Sequence, residues 1–334
     1  MSADKSRMNP RPPEPQAVGM PARGSLRWRD AALGLLAVTL AATGGLLMAA
    51  AMAVLAAAVL HWRAAPGGLA AVDTTPIDHP DANPAMHAGE TVLLYRPLRS
   101  LPELQLRGIE AELRWRHPEH GLVPPAQWPA ELPPALAAEL LGAWLEPACA
   151  RFTQWLPALS GRGGVTLWLR LPRPLLDHPA LAERLAQALA AQRLDASMLV
   201  LRVPLRVQGR QARLPDAVPD LQALGVTIAV DAFGAGPASL THLNQLPVRT
   251  ICLAPSFVAR AGPNTPQRWV VESTARLAQS MGMSTLAEGI TQDTQVLALA
   301  AMGCELGVGD VCGPWLEADE WTRRWRSAPA ARAA

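Results

Sequence analysis

The larger, C-terminal part of this sequence predicts an α/β fold, and one membrane-spanning helix is expected ahead of it. Three observations carry that reading. Short apolar runs bounded by turns recur at VTLWLRL (165–171), MLVLRVPL (198–205), VTIAVDAF (226–233), RTICLA (249–254) and STLAEG (284–289), which is how strands buried on both faces read. Between them, segments such as HPALAERLAQALAAQRL (178–194) and PQRWVVESTARLAQSMGM (266–283) return apolar residues every three or four positions, the mark of helices with one buried face. Upstream, residues 31–60 contain no charged side chain, a run longer than the roughly 20 residues needed to cross a bilayer. Strand and helix alternate over about 230 residues, close to the usual size of an eight-fold barrel. A doubly wound sheet gives the same alternation, so periodicity alone leaves both open.

In chain order, residues 1–30 are polar and Pro-rich with scattered arginines, a composition that cannot bury enough apolar surface to fold alone, so a disordered tail is expected. Residues 31–60 follow as the transmembrane helix, too long for the h-region of a cleaved signal. Its Gly44-Gly45 pair is compatible with a helix-packing face and equally with simple tolerance in an Ala-rich helix. Arg23, Arg27 and Arg29 precede the span, whereas after Arg63 no Lys or Arg appears until Arg96. The flanking charges therefore place the N-terminus inside and the main domain outside. Residues 61–90, rich in Pro, Gly, Ala and Asp, read as a linker. Asp78, His79, Asp81 and His87 in it lack the secondary structure that a metal site needs. The α/β domain is expected over 91–323, with a C-terminal tail at 324–334.

Composition excludes several function classes. Thirty basic and 28 acidic residues leave a net charge of +2, too balanced for the electrostatic footprint of a nucleic-acid binder. Cys149, Cys252, Cys304 and Cys312 form no CxxC pair and have no accompanying histidine spacing, so they read as small buried hydrophobes rather than as zinc ligands or a disulfide framework.

Six segments choose between the two architectures: Tyr95-Arg96-Pro97, GIEAELRWRHPEHGLVPPAQW (108–128), VDAFGAGPASLTHLNQLPV (230–248), PSFV (255–258), LAEGI (286–290) and MGCELGVGDVCGPWLEADEW (302–321). In order and spacing they resemble the EAL domain family of cyclic di-GMP phosphodiesterases over about residues 91–323. The resemblance implies a TIM-like (β/α)8 barrel of the EAL type. In active members two divalent metals, Mg²⁺ or Mn²⁺, sit at the C-terminal ends of the strands and activate water to cleave one phosphodiester of cyclic di-GMP. Such ions need a cage of hard oxygen ligands, with a carboxylate shared between them.

Carried over by this resemblance, the cage is largely dismantled. Three remnant carboxylates match metal ligands: Glu110, Asp231 and Glu288. The asparagine ligand of the next strand matches Trp168, and the glutamate of the following strand matches Arg202. Leu205 stands for the glutamate that steadies the active-site loop, and Ala232 for the second of the paired aspartates. Cys252 replaces the catalytic lysine, Ala254 the aspartate two residues on, Thr291 the second glutamate of the AEG motif and Val308 the late glutamine. Arg114 matches a phosphate-contacting arginine, but Arg96 and Glu112 replace a glutamine and a leucine that also face the ligand. The glycines of FGAG (233–236) and Gly309 read as turn residues, and Pro237 changes a loop through which active relatives dimerise.

An arginine about 4 Å from a dication costs about 4 kcal/mol per unit charge at an effective dielectric of 20, so two-metal hydrolysis is not expected. A carboxylate at Glu112 disfavours an anionic nucleotide. The expectation is a catalytically inactive barrel without a metal cofactor, acting on a protein partner as a regulatory module. A cyclic di-GMP receptor that does not hydrolyse the nucleotide and a weak phosphodiesterase are the alternatives. Trp168 is expected at the barrel mouth, either stacking on a base or filling space. Arg202 is expected to bridge Glu110 or Asp231, because matching positions converge on one ion and a planar guanidinium can span two carboxylates.

Overall fold

The computed structural model describes residues 88–128, 131–159, 164–208, 211–233 and 247–327. The expected tail at 1–30, the span at 31–60, nearly all of the linker including Asp78, His79, Asp81 and His87, the glycines and proline at 234–237, and the chain end from 328 lie outside the described residues. Among the described residues no helix is long and apolar enough to cross a membrane.

Eight strands close a barrel: β1 (Thr91–Ser100), β2 (Leu106–His117), β3 (Thr166–Arg170), β4 (Leu199–Pro204), β5 (Thr227–Phe233), β6 (Thr250–Leu253), β7 (Ser284–Glu288) and β8 (Leu306–Val308). Neighbours run in sequence from β2 to β8, and β1 closes the ring by pairing with both β2 and β8. From β2 onward every barrel neighbour is parallel. The first strand is not. β1 runs antiparallel to both partners, which departs from a strict (β/α)8 repeat. The reason is chain length: residues 101–105 alone join β1 to β2, and a parallel connection needs a crossover of a dozen or more residues. Short strands at Leu316–Glu317 and Gly121–Val123 extend the sheet beside β1 and β2.

Helices follow the strands as α1 (Pro134–Leu159), α2 (Leu181–Gln192), α3 (Val218–Ala223), α4 (Pro266–Ser280), α5 (Asp293–Ala301) and α6 (Ala318–Ser327), the last running beyond the expected domain limit at 323. The helices read from the sequence bury their apolar stripe, α2 through Leu181, Leu185, Ala188 and Leu189. In α1, Ala137, Leu140, Leu141, Trp144, Leu145, Ala148, Cys149 and Phe152 are buried. In α4, Val271, Thr274, Ala275 and Ala278 are buried, and the Thr265 side chain caps the N-terminus by accepting from Arg268 N at 3.2 Å. All four cysteines are free and buried, as their sparse pattern suggested.

Period-two alternation sorts each strand between helix layer and barrel interior. On β2 the interior set is Gly108, Glu110, Glu112 and Arg114, while Ile109, Ala111, Leu113 and Trp115 take the opposite face and are buried. Inside the barrel one layer is apolar: Leu98, Trp168, Val200, Ala229, Cys252, Leu286 and Val308 pack together. Trp168 is the large member, and Gly108 makes room for it. A Cβ on Gly108 would lie 2.7 Å from the indole.

Candidate functional site

Toward the C-terminal ends of the parallel strands the interior turns from apolar to fully charged. Arg202 on β4, with no exposed surface, sits among the carboxylates of Glu110, Asp231 and Glu288. Its Nη1 donates to Glu110, and its Nη2 donates to Asp231 and, at 2.7 Å, to Glu288 Oε2. Arg96 on β1 donates from Nε to Glu110 Oε2 (2.5 Å) and from Nη2 to Glu288 Oε1 (3.0 Å). Arg170 on β3 donates from Nε to Asp231 Oδ2 (2.9 Å) and from Nη1 to Glu288 Oε1 (3.0 Å). All six oxygens of the three carboxylates thus accept a guanidinium bond. Three positive and three negative groups cancel, which is the condition under which buried charge is tolerated. Within this layer Arg202 Nε is buried without a partner among the described residues.

The titration shifts follow from this closure. Burial works to raise the Glu288 pKa, but Arg202, Arg170 and Arg96 outweigh it and hold the carboxyl well below its ordinary value. Burial opposes ionisation of Asp231 too, and Arg170 and Arg202 still hold it down. Arg202 gains the complement: burial would lower its pKa, yet Asp231, Glu288 and Glu110 keep it well above the ordinary value.

A second, shallower tier lies along β2. Arg114 Nε donates to Glu112 Oε1 at 2.8 Å. The Arg96 and Arg114 guanidinium carbons stand 4.4 and 4.9 Å from the ring centroid of Trp315, within cation–π range. Trp315 is half-buried.

The expected site residues divide into three groups. Glu110, Asp231, Glu288 and Arg202 come together, and Arg202 pairs with both expected carboxylates and with Glu288 besides. Cys252, Val308 and Trp168 join the apolar layer beneath them. Trp168 therefore does not reach the mouth, as its place in the sequence suggested. It is 4% exposed and donates from Nε1 to Thr166 Oγ1 at 2.8 Å, so base stacking is closed to it and space filling remains. The others lie apart from the charged layer. Leu205 is half-buried beyond the end of β4, and Ala254 is buried just past β6. Thr291 is exposed, with its backbone N–H donating to Gln295 Oε1 at the start of α5 (2.9 Å).

Ala232, expected in place of the second of the paired aspartates, adopts φ +47°, where β5 shifts register against β6 between Val230 and Phe233. Its backbone N–H donates to Asp231 Oδ1 at 3.0 Å. Gly309, at φ +149°, is irreplaceable for a different reason: a Cβ there would lie 2.3 Å from the Ile290 backbone.

Two contributors escaped the sequence reading. Arg170 lies two residues beyond Trp168 on the same strand, so period-two alternation alone turns it inward; that signal was present. Trp315 had none, because it follows the last barrel strand in an irregular stretch. Arg96, expected only as a replaced ligand contact, is 8% exposed and a full member of the charged layer.

Comparison with known proteins agrees with the barrel fold. The EAL domain family matches residues 80–314. The bifunctional diguanylate cyclase/cyclic di-GMP phosphodiesterase MucR of Pseudomonas aeruginosa is 29% identical over 245 residues, covering 72% of this chain and 35% of its own length. A cyclic di-GMP phosphodiesterase of the same organism is 33% identical over 239 residues, covering 70% of this chain and 40% of its own. The chain thus spans between a third and two-fifths of these relatives. Among solved structures, PaMucR phosphodiesterase in its c-di-GMP complex superposes with a TM-score of 0.60 at 27% identity, over 70% of this chain and 94% of that one. With a matched region covering well over half of the sequence and a closed eight-stranded barrel beneath it, this chain belongs to the EAL domain family.

Proposed function

We propose that this barrel is a catalytically inactive EAL domain, held at the bacterial inner membrane by residues 31–60, that works as a protein-interaction or regulatory module in cyclic di-GMP related signalling or in a membrane complex. The observation that carries the reading is Arg202 at the centre of Glu110, Asp231 and Glu288. The residues present do not fit a divalent pair. Each carboxylate oxygen already accepts a guanidinium bond, and among the described residues no group of three or more His, Cys, Asp or Glu is disposed to hold a metal. An organic dication-substitute that cannot deprotonate supplies charge but no water activation. Cys252, in place of a lysine, is packed against apolar neighbours, and burial pushes its thiol pKa up. A barrel without turnover keeps its outer surface, and a partner protein is the ligand class this reading assigns to it.

The test is turnover of cyclic di-GMP by the full chain in detergent with added Mn²⁺. No release of linear product is expected, and metal-dependent turnover comparable to that of an active relative would end the proposal. Membrane side is a separate expectation. Alkaline phosphatase fused after Ala334 should be active if the flanking charges place the barrel in the periplasm, whereas fluorescence from a reporter that folds only in the cytoplasm would reverse that assignment.

A second reading, non-hydrolysing binding of cyclic di-GMP, is favoured by Arg114 and by the nucleotide held in the PaMucR structure. Glu112 beside Arg114 weighs against it. Titration with the nucleotide separates the two readings: saturable binding selects the receptor.

A further inference from the structure

Resting on that reading of a barrel without phosphodiesterase chemistry, we propose that Glu112 is a built-in counter-anion that closes the outer guanidinium site of the mouth to oxyanions of the phosphate class. The argument starts from charge. The inner layer is neutral by itself, three arginines against Glu110, Asp231 and Glu288. Arg114 above it is neutral only because of Glu112.

Geometry makes the outer tier a potential anion site. The side chains of Arg114 and Arg170 are 20% and 26% exposed, whereas that of Glu112 is 5% exposed. Arg114 uses Nε for Glu112, which leaves both terminal nitrogens without a partner among the described residues. Arg170 uses Nε and Nη1 inward, which leaves Nη2. Trp315 supplies a rigid wall against two of the guanidinium planes. Glu112 is also felt electrostatically by Arg96 and Arg170 as well as by its direct partner. Forks of this kind bind planar or tetrahedral oxyanions through charge-assisted bonds. Here the chain's own carboxylate takes that role, from a position two residues along the same interior face as Glu110. A soluble anion arriving at the mouth would find the positive charge already answered and would have to approach a buried negative one.

Removing that charge should open the site. The full chain, in detergent and at constant ionic strength without metal or nucleotide, is titrated with inorganic phosphate by calorimetry. The wild-type chain is expected to bind phosphate only weakly. Glu112→Gln, nearly the same shape without the charge, is expected to bind phosphate about ten-fold or more tightly than wild type, the factor that one gained charge-assisted hydrogen bond supplies. Adding Arg114→Gln to it should abolish the gain. Wild-type binding equal to that of the variant overturns the proposal, and so does a folded Glu112→Gln that binds no better than wild type. Should Glu112→Gln fail to fold in chloride buffer, phosphate is expected to restore its circular dichroism and cooperative melting, and failure to do so also overturns it. Turnover of cyclic di-GMP by the wild-type chain would sink the functional reading above while leaving the phosphate result interpretable.

Discussion

Removing Arg202 would leave Glu110, Asp231 and Glu288 facing only Arg96 and Arg170, a local balance of three negative charges against two positive ones. Truncating one partner of a buried ion pair typically costs about 3 to 5 kcal/mol, against about 0.5 kcal/mol or less at an exposed position free of such contacts. Arg202→Ala should therefore lower the urea midpoint of the full chain far more than Arg184→Ala on the outer face of α2; equal midpoints would mean that the network is energetically idle. Gly108 and Trp168 make a second residue-scale case. With the indole 2.7 Å from a would-be Cβ, Gly108→Ala is expected to cost about 1 to 3 kcal/mol through overpacking. In the presence of Trp168→Leu the cost should largely vanish, because residues in contact couple. Additive losses across that double-mutant cycle would place the indole elsewhere.

At the scale of elements, five of the eight barrel strands and the helices α2 and α4 were legible because their apolar periods are uninterrupted. Arg202 was legible because strand register brings corresponding strand ends together whatever side chains they carry. What escaped was direction. β1 was not among the strand runs read from the sequence, and only the five residues of 101–105 betray that it turns back antiparallel. Trp168 was readable as large and inward, but not as pointing toward the apolar layer, since rotamer choice depends on the space Gly108 leaves. The end of β5 carries another local conflict. Ala232 sits at φ +47°, a conformation that costs a non-glycine residue about 1 to 2 kcal/mol, while glycine adds back about 0.4 to 1 kcal/mol through the unfolded chain. Ala232→Gly should thus stabilise by up to about 1 kcal/mol in chemical denaturation, and a loss of stability would show that the backbone there is unstrained.

For the molecule as a whole, the charged layer predicts acid sensitivity. Asp231 and Glu288 have folded pKa values below their ordinary 3.8 and 4.5. Their contribution is therefore fully present above the ordinary values and is lost as pH falls through the depressed ones, where the folded state must take up protons that the unfolded chain already holds. Unfolding free energy should be nearly flat from neutral pH to about pH 5 and drop steeply below about pH 4. The arginines stay charged throughout, so protonation leaves the layer with unanswered positive charge. In Arg202→Ala the acid slope should become shallower; a slope unchanged by that substitution would mean that other carboxyls govern acid unfolding.

The antiparallel entry of β1 has a mechanical consequence. Thr91 pairs with Trp115, at the far end of β2 from Leu106, so the chain enters the barrel from the mouth side, on the strand that five residues later presents Arg96. Any tension arriving through the preceding chain is borne first by that strand, and its hydrogen-bonded neighbours on both sides set the load it can carry. A slip of β1 by a single residue would turn Arg96 from the interior to the opposite face, taking one of three positive charges from the buried layer. Traction on Thr91 and electrostatic balance inside the barrel are thereby linked through one strand.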